Sequence, residues 1–408
     1  MIKYIFTLFL PMWLFASLTY DVNGEKELHL LRSFDIEPSF LYDPGMNEMK
    51  NHLTDKKIHY FRSMKEAYIF IPAVKETLSK YHVPQEFIYL AMAESNFQIK
   101  AYSNKRAAGL WQFMPRTAKH FHLRMDEYVD ERRDIIKSTA AAAKYLSSLH
   151  KRFGKWYLAA LAYNCGGGRL NRAIKEAGTD ELSVLIDQNK QYLPPESRNY
   201  IRKIIALALM STDEHTLLNS EYGYLINRAN TNSITKVKLA SGDSLMRISK
   251  LLHIPFEKLK KINRQLNYDF VPPYARHGYS IYIPYDKLAL FKQKYRKESI
   301  KNIYKIHIVK SGENLSVIGK EYGVAYHLIK DFNHLKSNRL KLKQKLVIPI
   351  AKNSHKRVIH SSNYYMVRRG DSLESIAKAH KISVHNLRAQ NHIRGSLIKV
   401  GDRLKLYE

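Results

Sequence analysis

Hydrophobic positions change their period once along the chain, near Thr212, and the change separates two kinds of architecture. Before it, apolar residues recur at helical spacing. Phe87, Leu90, Ala91 and Glu94 fall at i, i+3, i+4 and i+7, one stripe of a helix whose first turn suits Pro84. A glutamate on a core-facing stripe is expensive unless it is paired or at work in a cleft. Burial there raises its pKa, and a carboxylic acid still protonated near neutrality is a general acid. The same spacing also allows a helix-end glutamate that bends out to solvent.

After Thr212 the pattern becomes short units with internal self-similarity. Ser241-Gly242-Asp243-Ser244-Leu245, Ser311-Gly312-Glu313-Asn314-Leu315 and Arg369-Gly370-Asp371-Ser372-Leu373 are one motif written three times. An asparagine follows each motif glycine at the same interval, at Asn263, Asn333 and Asn391. Each unit closes on a short apolar run: Ile281-Tyr282-Ile283-Pro284, Leu346-Val347-Ile348-Pro349 and Leu404-Lys405-Leu406-Tyr407. In the last unit, Tyr365-Met366-Val367 reads as a strand. Leu373, Ile376 and Ala377 read as one helix, and Leu387 opens a second. The predicted order is strand, helix, helix, strand. The first unit carries an insertion, Tyr268 to His277, before its last strand.

Composition adds a compartment and a partner. The 408 residues are 45% hydrophobic, ordinary for globular protein, but the formal net charge is +30. Such a balance calls for an anionic partner. Nucleic acid would serve in the cytosol, but the N-terminus argues for export. Lys3 precedes an apolar run from Tyr4 to Leu18, broken by Pro11 and ending near Ala16 and Ser17, as in a secretory signal peptide; an uncleaved anchor is the alternative. The expected location is therefore the periplasm or envelope of a Gram-negative bacterium. Wall carboxylates and phospholipid head groups are then the anionic partners, and nucleic acid is not. The only cysteine, Cys165, excludes an intrachain disulfide, reads as a small buried residue, and leaves no lipid-modified cysteine near the leader. No paired His/Cys spacing suggests a metal, and no cofactor is expected.

Four stretches occur in order: Glu94-Ser95-Asn96-Phe97, Ser103, Gly109-Leu110-Trp111-Gln112-Phe113-Met114-Pro115, and Ala162-Tyr163-Asn164. Together they resemble the catalytic domain of lytic murein transglycosylases of the soluble type, with a lysozyme-like fold, over roughly Tyr60 to Thr212. The resemblance implies one catalytic acid, Glu94. It implies Ser103 and Gln112 as hydrogen-bonding partners of the sugar, with Met114 packing beneath it. Tyr163 and Asn164 would line the groove, Asn164 also ordering the Glu94 carboxylate, and Tyr200 would lie near Glu94 and steer the substrate's acetamido group. One departure concerns the residues after Tyr200, where the family often has Val-Pro-Lys and this chain has Ile201-Arg202-Lys203. Asp126, Asp130, Glu131 and Asp134 are candidates for a second catalytic carboxylate, which would make a hydrolase, or for a salt-linked loop with Arg124, Arg132 and Arg133.

The three repeats resemble LysM domains, which bind N-acetylglucosamine-containing glycans. By that resemblance Gly312, Glu313, Asn314, Asn333, Gly370, Asp371, Ser372 and Asn391 are candidate glycan-binding positions; repeats that act as spacers are the alternative. The expected fold is α+β and multidomain: a mainly α lysozyme-like catalytic domain followed by three small βααβ modules. Its expected divisions are a signal peptide (1–18), an N-terminal segment (19–59), the catalytic domain (60–215), and modules at 235–285, 304–350 and 364–408. Basic linkers at 286–303 and 351–363 join them. The expected substrate is the glycan strand of peptidoglycan, cut by a single chain. A lysozyme-like hydrolase and a non-catalytic wall-binding protein are the competing readings.

Overall fold

The computed structural model describes residues 24–223, 233–272, 278–296, 302–333, 335–351, 364–367, 370–380, 382–393 and 395–406. The apolar run at 4–18, the basic stretch at 352–357 and residues 273–277 of the insertion lie outside them. The chain divides into two compact units, Met1–Glu298 and Ser299–Glu408. Among the described residues no helix is long and apolar enough to cross a membrane.

The first unit is mostly helical. Its helices are α1 (24–32), α2 (Pro44–Thr54), α3 (Lys57–Ala67), α4 (Ile71–Lys80), α5 (Ile88–Ser95), α6 (Pro115–His120), α7 (Ile135–Phe153), α8 (Trp156–Cys165), α9 (Gly167–Ala177), α10 (Leu182–Leu185), α11 (Pro195–Thr212) and α12 (Glu214–Leu218). Each start and stop has a local cause. Asp134 caps α7 by accepting from the Ile136 and Lys137 amides, and Gly154 ends it in a left-handed conformation. Helix α8 is apolar around most of its circumference and buries Tyr157 through Ala162, as a central helix must. Helix α11 opens at Pro194-Pro195 and packs against α2, α5 and α8.

The boundary expected at residue 60 is not where the fold begins. Leu30, Leu31, Phe34, Phe40, Met46 and Leu53 belong to the main core. Phe34 stacks on Phe87 at 4.7 Å, and Asp35 accepts a 2.7 Å hydrogen bond from the Trp156 amide. The segment 24–59 is thus structural wall of the catalytic unit, because the stripes of α5 and α8 are too apolar to face water without it.

The first repeat is not a separate bead either. Its antiparallel ribbon, β1 (Ile234–Leu239) with β2 (Tyr279–Pro284), and its helices α13 (Leu245–Leu252) and α14 (Phe256–Lys261) share one hydrophobic cluster with the helical part. The joint is polar as well as apolar. The Asp130 amide donates to Gln265 O at 2.8 Å and the Asn267 amide to Tyr128 O at 2.9 Å. Tyr279 donates to Glu131 at 3.1 Å and Tyr282 to Asp134 at 2.6 Å. The start of the insertion runs back beside the Ser-Gly-Asp turn, where the Leu245 amide donates to Asp269 O and the Val271 amide to Asp243 O. The expected linker from 286 is in fact a helix, α15 (Leu288–Lys294), whose Phe291 stacks on Tyr295. Tyr295 in turn accepts from the Ala240 amide, so the segment completes the first repeat.

The second unit holds two βααβ modules with separate cores. One pairs β3 (Asn302–Ile308) with β4 (Lys345–Ala351) around α16 (Leu315–Tyr322) and α17 (Tyr326–Phe332). The other pairs β5 (Tyr364–Met366) with β6 (Arg403–Lys405) around α18 (Leu373–His380) and α19 (Val384–Gln390).

Candidate active site

Helix α5 carries Glu94 in its last turn and stops at Ser95, one residue later, because Asn96 and Phe97 both take positive φ, 49° and 58°. That sharp exit lets Ser95 donate to Leu110 O at 2.8 Å, tying the helix end to the Gly109–Gln112 turn. Gly109 has φ of 81°, and a Cβ there would stand 1.9 Å from Arg132 O, so no other residue fits. Trp111 is fully buried and donates to Thr139 at 2.9 Å. Its carbonyl accepts from Tyr163 at 2.7 Å, so the turn is held from both sides.

Glu94 sits deep enough that burial raises its pKa above the ordinary 4.5. Tyr200, from α11, donates to its Oε1 at 2.5 Å. That bond and the Lys203 ammonium favour the ionised form, whereas the Glu196 carboxylate opposes it. Burial prevails, and it also raises the Tyr163 and Tyr200 hydroxyls, helped by the glutamate's own charge. Both tyrosines are therefore hydrogen-bond donors here and not bases.

Lys203 and Glu196 were not singled out by motif. Three and four residues either side of Tyr200, they share its face of α11, and that spacing was the available signal. Lys203 donates to Ala93 O at 2.6 Å, and its burial lowers its pKa. The departure at Arg202 is accommodated. Its guanidinium holds Asp43, the cap of α2, through two bonds of 2.6 and 2.9 Å, and α11 runs through unbroken.

The other sugar-site candidates fall into place unevenly. Gln112 adopts φ of 45° and donates to Gly109 O at 2.9 Å. Ser103 accepts from the Ala107 amide at 3.0 Å, holding the loop before the turn. Met114 is 43% exposed at the start of α6. Asn164 accepts from Ser197 at 2.6 Å, and the hydrogen bond to Glu94 comes from Tyr200. Cys165 is half-buried and its thiol pKa is raised by burial, as for an inert side chain.

The second-carboxylate candidates are committed elsewhere. Asp130 pairs with Arg132 at 2.8 Å and Glu131 with Lys137 at 2.5 Å. Asp134 caps α7 and meets Tyr282, and Asp126 accepts from the Tyr128 and Val129 amides. These residues build the joint to the first repeat.

The repeated asparagine has a structural task in all three modules. Asn333 donates to Ile329 O and Val347 O and accepts from the Val347 amide. Asn391 does the same with Leu387 and Lys405, and Asn263 with Leu259 and Tyr282. Each amide clamps the second helix to the last strand. Asn314 and Ser372 cap the first helices, and Asp371 accepts from Tyr365 at 2.8 Å. Glu313 takes His307 at 2.7 Å and the Lys310 amide at 2.7 Å. Gly312 and Gly370 have φ of 80° and 91° and open space above them. One group among the described residues, His307, Glu313 and Glu321, brings ligand atoms within 4.8 Å of one another. Both His307 nitrogens already meet partners, Tyr322 and Glu313, and the next module puts Tyr365 and Asp371 in the same places. The group is a structural hydrogen bond.

The family model for the Transglycosylase SLT domain matches residues 72–186. That for the lytic transglycosylase MltD LysM-like domain matches 233–300, and that for the LysM domain matches 307–349 and 365–406. The chain is 29% identical over 344 residues to membrane-bound lytic murein transglycosylase D of Escherichia coli, covering 81% of this chain and 74% of the relative. An autolysin of Enterococcus faecalis is 32% identical over 108 residues, 24% of this chain and 15% of that one. Among solved structures, an inactive mutant of lytic transglycosylase Slt from Pseudomonas aeruginosa is 25% identical, covering 33% of this chain and 22% of that one, at a TM-score of 0.29. The first repeat, expected to be a LysM module with an insertion, matches the LysM-like model, in keeping with its fusion to the catalytic core. An SLT domain, an MltD-type LysM-like domain and two LysM domains in that order make the chain a lytic transglycosylase with the architecture of the murein transglycosylase D relatives it resembles.

Proposed function

We propose that this enzyme cuts the β-1,4 bond between N-acetylmuramic acid and N-acetylglucosamine and closes the muramic acid into a 1,6-anhydro ring, as a step of wall remodelling in the cell envelope. The observation that carries the proposal is Glu94: a desolvated carboxyl, held by one tyrosine, while Asp130, Glu131 and Asp134, the candidates for a second catalytic carboxylate, are engaged in the domain joint. On this reading one carboxyl group serves twice. Protonated Glu94 gives its proton to the bridging oxygen, and the C1–O bond breaks. The 2-acetamido oxygen stabilises positive charge at C1. Ionised Glu94 then takes the proton of the C6 hydroxyl as O6 bonds to C1, which restores the acid. An attached nucleophile replaces a bound water through its high effective molarity. Tyr200 steadies the carboxylate in the interval, when its hydrogen bond is strongest. Ser103, Gln112, Met114, Tyr163 and Asn164 are proposed to hold the sugars. Gly312-Glu313-Asn314 and Gly370-Asp371-Ser372 are proposed to meet glycan through the open backbone of their turns.

A hydrolytic reading has one structural foothold. Glu196 is exposed, one turn before Tyr200, and its charge reaches Glu94. As a base it would activate water. Digestion of purified wall in oxygen-18 water, with mass spectrometry of the products, decides between the two. Anhydro ends, lighter by one water and without label, are expected. Reducing ends carrying label at C1 would make the enzyme a hydrolase.

A further inference from the structure

A cavity of about 410 Å³ lies between the catalytic helices and the LysM-like domain, and neither motif set accounts for it. Its catalytic-side wall is α3 and the loop that leaves Glu94. Asn96, two residues beyond the acid, lines it and meets His59 at 3.2 Å. The opposite wall brings Lys261 and Arg264 from the end of α14. With His59, Arg62 and Lys100 the cavity has five basic side chains, against one carboxylate, Glu66, which pairs with Lys261 at 3.3 Å. Buried Phe97 and Ile99 supply an apolar floor.

The two cations of the far wall belong to this repeat alone. Lys261 stands two residues before the clamp Asn263, and Arg264 one after it. The same positions are Asp331 and His334 in the second repeat and Ala389 and His392 in the third. The Asn263 clamp fixes the backbone between them, so both side chains are presented from a rigid base. Among the three repeats, the first alone carries this pair of cations.

We infer that this cavity binds the carboxylates of a short acidic peptide, the kind that peptidoglycan carries on its muramic acid. The inference rests on the reading that the enzyme cuts peptidoglycan glycan. The cavity opens beside the loop that follows the catalytic acid, so a peptide on a sugar held at Glu94 has a short path to it. Arginine and lysine at a partly desolvated wall bind carboxylates through charge-assisted bonds, and the phenylalanine and isoleucine floor suits the alanine methyls of such a peptide. The LysM-like domain thereby becomes part of substrate selection.

The full chain is tested on glycan strands with peptide stems and on the same strands stripped of them by an amidase. The readout is the ratio of the two kcat/KM values. Wild type is expected to favour stem-bearing strands, and Lys261→Gln with Arg264→Gln to lower the ratio about tenfold, through KM, as loss of charge-assisted bonds implies. Glu66→Gln, which removes the competing carboxylate, is expected to raise it. Isothermal titration of the tripeptide Ala-Glu-diaminopimelate against the same proteins reads binding without turnover. A double variant that melts like wild type but keeps both the ratio and the peptide affinity overturns the inference. Should the double variant fail to fold, Glu66→Gln and Lys100→Gln decide, and unchanged ratios and peptide affinities in both overturn it equally. Wild type that cuts neither strand overturns the glycan reading, while the titration still tests the cavity.

Discussion

Glu94 is held between opposing influences, and each can be removed singly. Glu94→Gln keeps the shape but has no proton to give, so wall cleavage should fall on the order of a hundredfold or more, read from release of soluble muropeptides. The same change should stabilise the fold at neutral pH. The folded-state pKa of Glu94 is raised, so its protonated form favours folding below the ordinary 4.5, and that contribution is lost as pH rises through the folded value. Glutamine never ionises. The variant's melting temperature should exceed that of wild type at pH 7, and the gap should close below about pH 4. The pH–rate profile gives a second check. Activity needs the protonated acid, so kcat/KM should fall with rising pH through the raised pKa. Glu196→Gln removes a repulsion and should move that limb to lower pH. Lys203→Met removes an attraction and should move it to higher pH. Two shifts of the same sign would show that at least one of these charges does not act on Glu94 through space.

At the scale of elements, the strongest devices are short-range ties that fix one segment against another. The asparagine clamp is the clearest, because one amide satisfies a carbonyl and an amide of the last strand and a carbonyl of the second helix. Asn333→Ala leaves those strand groups without their partner at Val347. Loss of about 1–3 kcal/mol from its module is expected, measured by denaturant unfolding of the full chain followed by hydrogen exchange on β4. Cleavage of short soluble glycan should not change, since Glu94 lies in the other unit. Retained protection of β4 in the variant would mean that the clamp is dispensable.

For the whole molecule, the boundary between compact units falls after residue 298 and not near 234. The LysM-like domain shares the catalytic core through Leu239, Leu245, Ile281 and Ile283, and it holds Glu131 and Asp134 through tyrosines. A chain ending at 298 should melt as the first unit does in the full protein and cut short glycans at a similar rate. A chain ending at 223 exposes that apolar face and leaves Asp134 without Tyr282, and it should be insoluble or melt far lower. The shorter chain behaving like the longer one would refute the shared core. The LysM pair, together with a net charge of +30, should add salt-sensitive retention on insoluble wall, lost on cutting at 298 and measured by pelleting across a salt series.

What the sequence by itself determined was local or periodic. Glu94 on the stripe of α5 and the strand–helix–helix–strand order of the repeats are set by neighbours within a few residues, so spacing revealed them. The resemblance of four short motifs named the family, and the family models agree with it. What only the tertiary structure decided depends on contacts between distant segments. Tyr200 reaches Glu94 across 106 residues, and Lys203 and Glu196 flank it because α11 lies against α5. Residues 19–59 were separable in sequence only as an N-terminal segment, yet apolar side chains from Leu30 to Leu53 share a core with those of α8. The acids from Asp126 to Asp134 looked like a second catalytic set or a salt-linked loop, and the tyrosines that claim two of them lie 148 residues away. The repeated asparagine looked like a glycan contact, because periodic identity does not distinguish a ligand from a clamp. Only the position of the last strand shows that its amide is already satisfied.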